Sequence, residues 1–260
     1  MSMAWPDLSR LERALKTTYM GRRLVYYSSV GSTQDIARRE AEAGAPEGTL
    51  VLADEQTAGR GRLGRSWASP AGQNLYLTLV LRPPMHALKR LTMVAPLAVA
   101  RAVAETTGLQ AGIKWPNDVW IGRRKLSGVL LESEVQGEQV RYCLLGIGVN
   151  VNMDVEAIPE LAEIATSLLR ELGREVSRED VLASLLAHLE SLYEAVRRGE
   201  TPLEEWRARL ITLGQEVTAR FGDQVEEGLA EDVDEEGRLL LRRPDGSRVA
   251  IEAGDVTLRS

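Results

Sequence analysis

The sequence predicts an α+β fold: a mixed β-sheet with flanking helices, followed by a small β-barrel. Three observations predict it. Strand-like apolar runs and helical periodicities are interleaved from about residue 24 to residue 210. One stretch, 87–107, is apolar nearly all round and so needs cover on every side. From about Gly214 the texture changes to short strands separated by the turn pairs Gly222-Asp223, Glu236-Gly237, Asp245-Gly246 and Gly254-Asp255. The expected division is therefore a large domain over 1–213 and a small one over 214–260.

In order along the chain, residues 7–20 place Leu8, Leu11, Leu15 and Tyr19 at helical spacing. Residues 24–28 read as a strand. Ser32 or Thr33 can cap a helix running to about Ala43, which Gly44 and Pro46 stop. Thr49 to Ala53 is an apolar strand, and 57–73, with its glycines and Pro70, is a loop. Leu75 to Leu81 is a strand ended by Pro83-Pro84. The apolar helix 87–107 follows. Residues 119–134 form a hairpin turning at Gly122-Arg123-Arg124, and Gln139 to Val149 is a further strand. Helices are expected over 159–172, 178–198 and 202–210.

Composition excludes several classes. A chain of 260 residues, 44% hydrophobic, can bury a large core. A net charge of -6 argues against a bulk nucleic-acid binder. The single cysteine, Cys143, lies in an apolar run and reads as a core thiol. The two histidines, His86 and His188, have no partners in sequence for a metal site or a nucleophilic triad. The start has no charged-then-apolar signal pattern, and the apolar stretch Leu91 to Ala104 is too short to cross a bilayer. A cytoplasmic protein with no membrane partner is expected.

Against this acidic background, Gln56 to Ala104 contains no acid and seven bases: Arg60, Arg62, Arg65, Arg82, Lys89, Arg90 and Arg101. With 38 acids in 260 residues, about seven would be expected there. Such a cationic island suits a small anion, because arginine offers planar, permanently charged forks to phosphate and carboxylate. Lysine is rare, and two of the four, Lys114 and Lys125, lie close together. A compact ammonium is wanted there rather than a fork.

The segment Gly59-Arg60-Gly61-Arg62-Leu63-Gly64 satisfies the dinucleotide pattern G-x-G-x-x-G and follows a strand. Its context refuses that reading. The motif must open a helix, whereas Ser66-Trp67-Ala68-Ser69-Pro70 follows it, and the acid needed about 20 residues later falls in acid-free sequence. What remains is a glycine loop carrying three arginines. Mutual repulsion should leave it poorly ordered until an anion neutralises it, so it should close over a ligand. A solvated surface loop and an RNA-contact loop are the alternatives. Two further clusters stand out. Lys114-Trp115-Pro116-Asn117-Asp118 is stiffened by its proline, and Lys125-Leu126-Ser127-Gly128 follows it. Gly146-Ile147-Gly148-Val149-Asn150 puts glycines inside a strand, a mark of close ligand approach.

Together these segments carry a resemblance. Ser32-Thr33, the run Gln56-x-x-Gly-Arg-Gly-Arg-x-Gly-Arg-x-Trp67, Lys114 to Asp118, Lys125-Leu-x-Gly128 and Gly146 to Asn150 resemble, in order and spacing, the biotin protein ligases over residues 25–152. The tail fits that family's SH3-like C-terminal β-barrel, and the sheet would be of the biotin/lipoate ligase type. The resemblance implies an enzyme that makes biotinyl-5'-AMP from biotin and ATP with Mg2+. The enzyme then passes biotin to a lysine of a biotin carboxyl carrier protein, as in acetyl-CoA carboxylase or a related carboxylase.

The same resemblance implies roles. Ser32, Thr33, Gln34 and Gln56 would bind biotin's ureido head. Gly59, Arg60, Gly61 and Arg62 would close over it, with Trp67 packed on the closed loop. Gly128 and Gly148 would leave room for its rings and chain. Lys125 would bridge carboxylate and α-phosphate. Arg62, Arg65, Trp67, Lys114, Asn117, Asn150 and Arg259 would serve ATP. Asp118 would join Lys125, Arg62 and Lys114 in the chemistry, either holding Mg2+ or orienting the acceptor lysine. Plainer readings stand beside these: Ser32 as a helix cap, Asp118 as a partner of Lys114, Trp115 and Trp120 as core or wall residues.

Only 31 residues precede Ser32, too few for the winged helix-turn-helix that makes some family members repressors, so no DNA binding is expected. The resemblance implies a homodimer through the catalytic sheet, which an exposed edge after residue 139 would permit. Lipoate or octanoate enzymes are the nearest rival class, but their own glycine-rich segment is not found. An RNA- or carrier-binding module and a ligase that binds without turnover are the others.

Overall fold

The computed structural model of the chain describes residues 7–221, 224–252 and 254–258. The order is α1 (Leu8–Ala14), β1 (Leu24–Val30), α2 (Thr33–Glu42), β2 (Leu50–Gln56), β3 (Leu75–Leu81), α3 (Met85–Leu88), α4 (Leu91–Thr107), β4 (Gly112–Lys114), β5 (Asp118–Ile121), β6 (Arg124–Gln136) and β7 (Gln139–Val149). Then come α5 (Leu168–Leu172), α6 (Arg178–Arg197), α7 (Leu203–Ala208), β8 (Glu216–Phe221), β9 (Gln224–Val233), β10 (Leu239–Arg242), β11 (Arg248–Ile251) and β12 (Asp255–Leu258).

Seven strands form one mixed sheet in the order β1-β2-β3-β7-β6-β5-β4. Only β1 and β2 run parallel, and every other pair in it is antiparallel. The fold is α+β as expected. On one face α2 lays Ile36, Ala37 and Ala41 against Val51, Val80 and Leu144. On the other, α4 and α6 pack together across the sheet. That burial explains why α4 is apolar on all sides: eleven of its seventeen residues are buried. At roughly 1.5–3 kcal/mol per large side chain, this cover is a main source of stability. Cys143 is a buried core residue, and burial pushes its thiol pKa up.

Several boundaries differ from expectation. The first helix stops at Ala14, because residues 17–22 instead wrap onto α6. The helix 87–107 is interrupted at Lys89-Arg90, where Arg90 donates to the carbonyls of Gly199 and Glu200. Residues 159–167 form turns rather than helix, and the short edge strand β4 had no period to show. The strand β7 is an interior strand, paired with β6 along its length and with β3 from Cys143. The sheet's outer strands are β1 and β4, so the edge expected after residue 139 is not the free one.

The tail forms a separate antiparallel sheet in the order β11-β10-β9-β8-β12. Among the described residues it is not a closed barrel, since β11 and β12 do not pair. The four-residue β12 pairs with β8 alone, and its leading end turns toward Arg62 and Arg65 instead. The Gly222-Asp223 turn lies outside the described residues.

The segment before β1 is held by one carboxylate. Glu190 of α6 accepts from the backbone N–H groups of Thr18 (2.6 Å), Tyr19 (3.0 Å) and Met20 (2.9 Å). Burial works to raise its pKa, but the three N–H donors outweigh it and the pKa is lowered. A carboxylate with a lowered folded pKa stabilises above its unfolded pKa and loses that contribution as pH falls through the folded value. Glu190→Ala should therefore cost about 2 kcal/mol in urea unfolding at pH 7. The difference from the unsubstituted protein should shrink below about pH 4, and a pH-independent difference would count against this account.

Candidate functional site

The site is built where strands β6 and β7 lack side chains. Gly128 of β6 and Gly148 of β7 are direct cross-strand partners, and Gly146 faces Leu130 one pair along. This leaves a flat floor on the α2 face of the sheet. Trp67 lies on that floor: a Cβ on Gly148 would stand 2.5 Å from its ring, and one on Gly128 would stand 3.0 Å away. The cavity above is walled by the start of α2, the loop after β2 and the segment from Lys114 to Asp118.

Ser32 is the N-cap of α2, but its side chain makes no capping hydrogen bond, so the helix does not consume its hydroxyl. Thr33 and Gln56 are locked together. The Thr33 N–H and Oγ1–H both donate to Gln56 Oε1, at 2.9 and 3.0 Å, and Thr78 Oγ1 donates to Thr33. Gln56 Nε2 then donates to Ser69 Oγ, which donates to the Trp67 carbonyl. A polar chain thus runs from the sheet through the helix start to the loop stem. Gln34 is 3% exposed; its Nε2 donates to Leu130 O, while its Oε1 has no partner among the described residues. Trp67 Nε1 is likewise buried with no partner among them. Buried polar atoms are seldom left unpaired, so an acceptor and a donor wait here for a ligand.

Five bases line the cavity against two acids: Arg60, Arg62, Arg65, Lys114 and Lys125, with Asp118 and Asp255. The loop arginines are not left to repel one another. Arg60 pairs with Asp35 at 2.7 Å, and Arg65 pairs with Asp255. Arg62 donates to Asn117 Oδ1 at 2.8 Å and to the Gly254 carbonyl at 2.9 Å. The loop is held over the cavity by counter-charges brought from α2 and β12. Asp118 pairs with Lys125 at 2.7 Å rather than with Lys114. Lys114 lies 4.7 Å over the Trp120 ring instead.

Burial lowers the Lys114 pKa, helped by Lys125 and Arg65 and opposed by Asp118 and Asp255. Arg62 is lowered the same way, by burial first. Asp255 is held low: burial works against its charge, but the Arg65 pair and nearby Lys114 and Arg62 outweigh it.

Most of the expected residues converge on this cavity. Two of the described ones do not line it. Gly59 lies beneath the loop, where a Cβ would stand 2.4 Å from the Trp67 carbonyl. Asn150 is buried beside it, its Nδ2 donating to Thr166 O. Arg259 lies outside the described residues. Trp115 is a buried wall residue whose Nε1 donates to Gly237 O. Sequence reasoning missed Asp35 and Asp255. Their only signal was position: one in the first turn of a helix whose start was singled out, the other in a turn pair.

The fold and site define a protein of the class that takes a small anion into a cationic pocket on a mixed sheet. Comparison with known proteins narrows that class. Residues 26–150 match the Biotin/lipoate A/B protein ligase family, and residues 212–259 match the Biotin protein ligase C terminal domain. The chain is 38% identical to the Bifunctional ligase/repressor BirA of Bacillus subtilis, over 96% of this chain and 78% of that protein. It is 36% identical to the Biotin--[acetyl-CoA-carboxylase] ligase of Mycobacterium tuberculosis, over 94% of each. The structure of a biotin protein ligase from Aquifex aeolicus in complex with biotin and ATP aligns with a TM-score of 0.80 and 32% identity, covering 92% of this chain and 99% of that one. The chain belongs to the biotin/lipoate A/B protein ligase family.

The Trp67 seat can be tested without any ligand. Gly148→Ala should lift the ring, and overpacking of this kind costs about 1–3 kcal/mol. Tryptic cleavage after Arg60, Arg62 or Arg65 should then speed up about tenfold. Equal cleavage rates would mean that the ring does not hold the loop.

Proposed function

We propose that this chain is a biotin protein ligase. It activates biotin with ATP to biotinyl-5'-AMP, releasing pyrophosphate, and transfers biotin to one lysine of a carboxyl carrier protein, that of acetyl-CoA carboxylase or a related carboxylase. The observation that carries this reading is the joining of two environments in one cavity. The Gln34 carbonyl beside Gly146, unpartnered among the described residues, suits an N–H-bearing head group. A cluster of five bases suits a carboxylate meeting a triphosphate.

In the first step a biotin carboxylate oxygen bonds to the α-phosphorus, and pyrophosphate leaves with the electrons of the broken P–O bond. Both partners are anions, so cations and a dry site matter more than a base. Ser32, Thr33, Gln34 and Gln56 hold the ureido head, and Arg60 and Gly61 cover it. Lys125 exchanges Asp118 for the carboxylate and α-phosphate. Arg62, Arg65 and Lys114 take the remaining phosphate charge, with Asn117 steering Arg62. Asn150, which lies outside the cavity lining, and Arg259 are assigned to ATP. In the second step the acceptor amine attacks the acyl carbon, its nitrogen losing a proton to Asp118, and AMP leaves. Mg2+ fits a site with few carboxylates, because nucleotide phosphates and water supply most of its oxygens. Asp118 and Asp255 would be its protein neighbours, and bound there it would neutralise phosphate charge.

The same reading takes residues 1–213 as the catalytic domain and 214–260 as an SH3-like accessory domain. It takes the working form as a cytoplasmic homodimer without DNA or membrane partners. Support for the dimer comes from the one-sided edge strand β1, where Tyr27 is exposed. Among the described residues no helix is long and apolar enough to cross a membrane.

Biotin-dependent ATP–pyrophosphate exchange tests the reading, with lipoate and octanoate as controls. Exchange with biotin alone is the expected result, and exchange with none of the three acids would remove the enzyme reading. Lys125→Ala should slow exchange at least about a hundredfold, roughly 3 kcal/mol of transition-state stabilisation. A near-normal rate in that variant would take Lys125 out of the mechanism.

A further inference from the structure

Two lysines reach the ligand cavity, and each stands against a tryptophan. Lys125 Nζ lies 5.4 Å from the centre of the Trp67 ring, and Lys114 Nζ lies 4.7 Å from that of Trp120. The first pair depends on where the arginine loop sits. The second is built into the sheet. Val119 and Ile121 of β5 face the core, so by alternation Asp118 and Trp120 face the cavity side. Trp120 pairs in register with Lys125 of β6 on one flank and with Gly112 of β4 on the other. Gly112 has no side chain to cover the ring, and a Cβ there would run into Ile211. Lys114, two residues further along β4 and on the same side, lies over the ring left open.

We propose that Trp120 is a positioning residue for the adenylation step: its ring seats the Lys114 ammonium, so that Lys114 offers its N–H groups to the ATP phosphates and does not take Asp118 from Lys125. The inference rests on the ligase reading above. Lys114 lines the cavity and Trp120 does not, so the ring acts through the lysine.

Asp118 is the direct cross-strand partner of Lys114, yet it pairs with Lys125 at 2.7 Å. One carboxylate thus stands within reach of two ammonium groups, since side chains directly opposite on neighbouring strands are close enough to pair. Among the described residues no ion pair or hydrogen bond engages the Lys114 ammonium. Burial disfavours its charge, and Lys125 and Arg65 repel it, against attraction from Asp118 and Asp255. The electron-rich face of an indole offsets part of that cost and leaves N–H donors free. A salt bridge would occupy them, and a phosphate would first have to displace a carboxylate. When Lys125 turns to the substrates, Asp118 is released for the acceptor's proton, and a Lys114 without its ring would capture it.

Trp120→Leu should raise the KM for ATP in biotin-dependent exchange about fivefold, with the KM for biotin within about twofold of normal. Trp120→Phe keeps an aromatic face and should recover most of the loss. A double-mutant cycle decides between seating and space-filling. In the Lys114→Met background Trp120→Leu should change nothing further, and an equal loss in both backgrounds overturns the proposal. If Trp120→Leu lowers the melting temperature, a fluorinated tryptophan placed at 120 alone keeps the size and weakens the ring's negative face. It should raise the KM for ATP about twofold or more, and an unchanged KM overturns the proposal. The seat can also be read without turnover. The chain has four lysines, so 13C-lysine spectra are simple, and the Lys114 ε-methylene should be shifted upfield by the ring and return to normal in Trp120→Leu. A Lys114 signal that ignores the substitution overturns the seat. Absence of exchange in the unsubstituted protein, with the ring shift present, would instead remove the ligase reading, so the two failures are distinguishable.

Discussion

Neutralising three arginines on one short loop is the constraint on which the site depends. Arg60, Arg62 and Arg65 lie within six residues and cannot sit over a cavity unpaired. Asp35 comes from α2, Asp255 from β12, and Asn117 with the Gly254 carbonyl holds the third. The Arg60 and Arg65 pairs are partly solvated, and pairs of that kind contribute about 0–1 kcal/mol. The closed loop is therefore easily reopened. An anion that enters replaces weak internal partners with its own oxygens, and no strong bond has to break first.

The floor is the complementary constraint. Aligned glycines on β6 and β7 are costly in a sheet, since they pack nothing and weaken the strand. Here Trp67 fills the gap they leave, and its own stem is tied through Ser69 and Gln56 to Thr33. The loop is thus anchored at its base by a buried polar chain and closed at its tip by exposed ion pairs. A rigid stem with a weakly held tip lets the arginines move while the binding groups of α2 stay in place.

The C-terminal sheet is part of the site rather than an appendage. It supplies Asp255 and Gly254 to the loop and Gly237 to Trp115, and it forms one wall of a second cavity beside the first. The two cavities share Arg62, so the loop that closes the first also lines the second.

By itself the sequence determined the elements with a strong local signal. The strands over Leu75–Leu81 and Gln139–Val149 and the buried helix α4 follow from apolar runs bounded by turn residues. The acid-free arginine loop, the two lysines and the strand glycines named most of the cavity lining, because their chemistry is written in residue type and spacing. Only tertiary structure decided which charge meets which. Asp255 is nearly two hundred residues from Arg65, Asp118 chose Lys125 over Lys114, and Ser32 kept its hydroxyl from the helix. It also decided that β4 completes the sheet edge, that 159–167 is not helical and that β11 and β12 do not pair among the described residues. The reason is physical. Local propensity acts over a few residues, whereas ion pairs, cavities and sheet edges depend on distances through space that the chain sets only once it has folded.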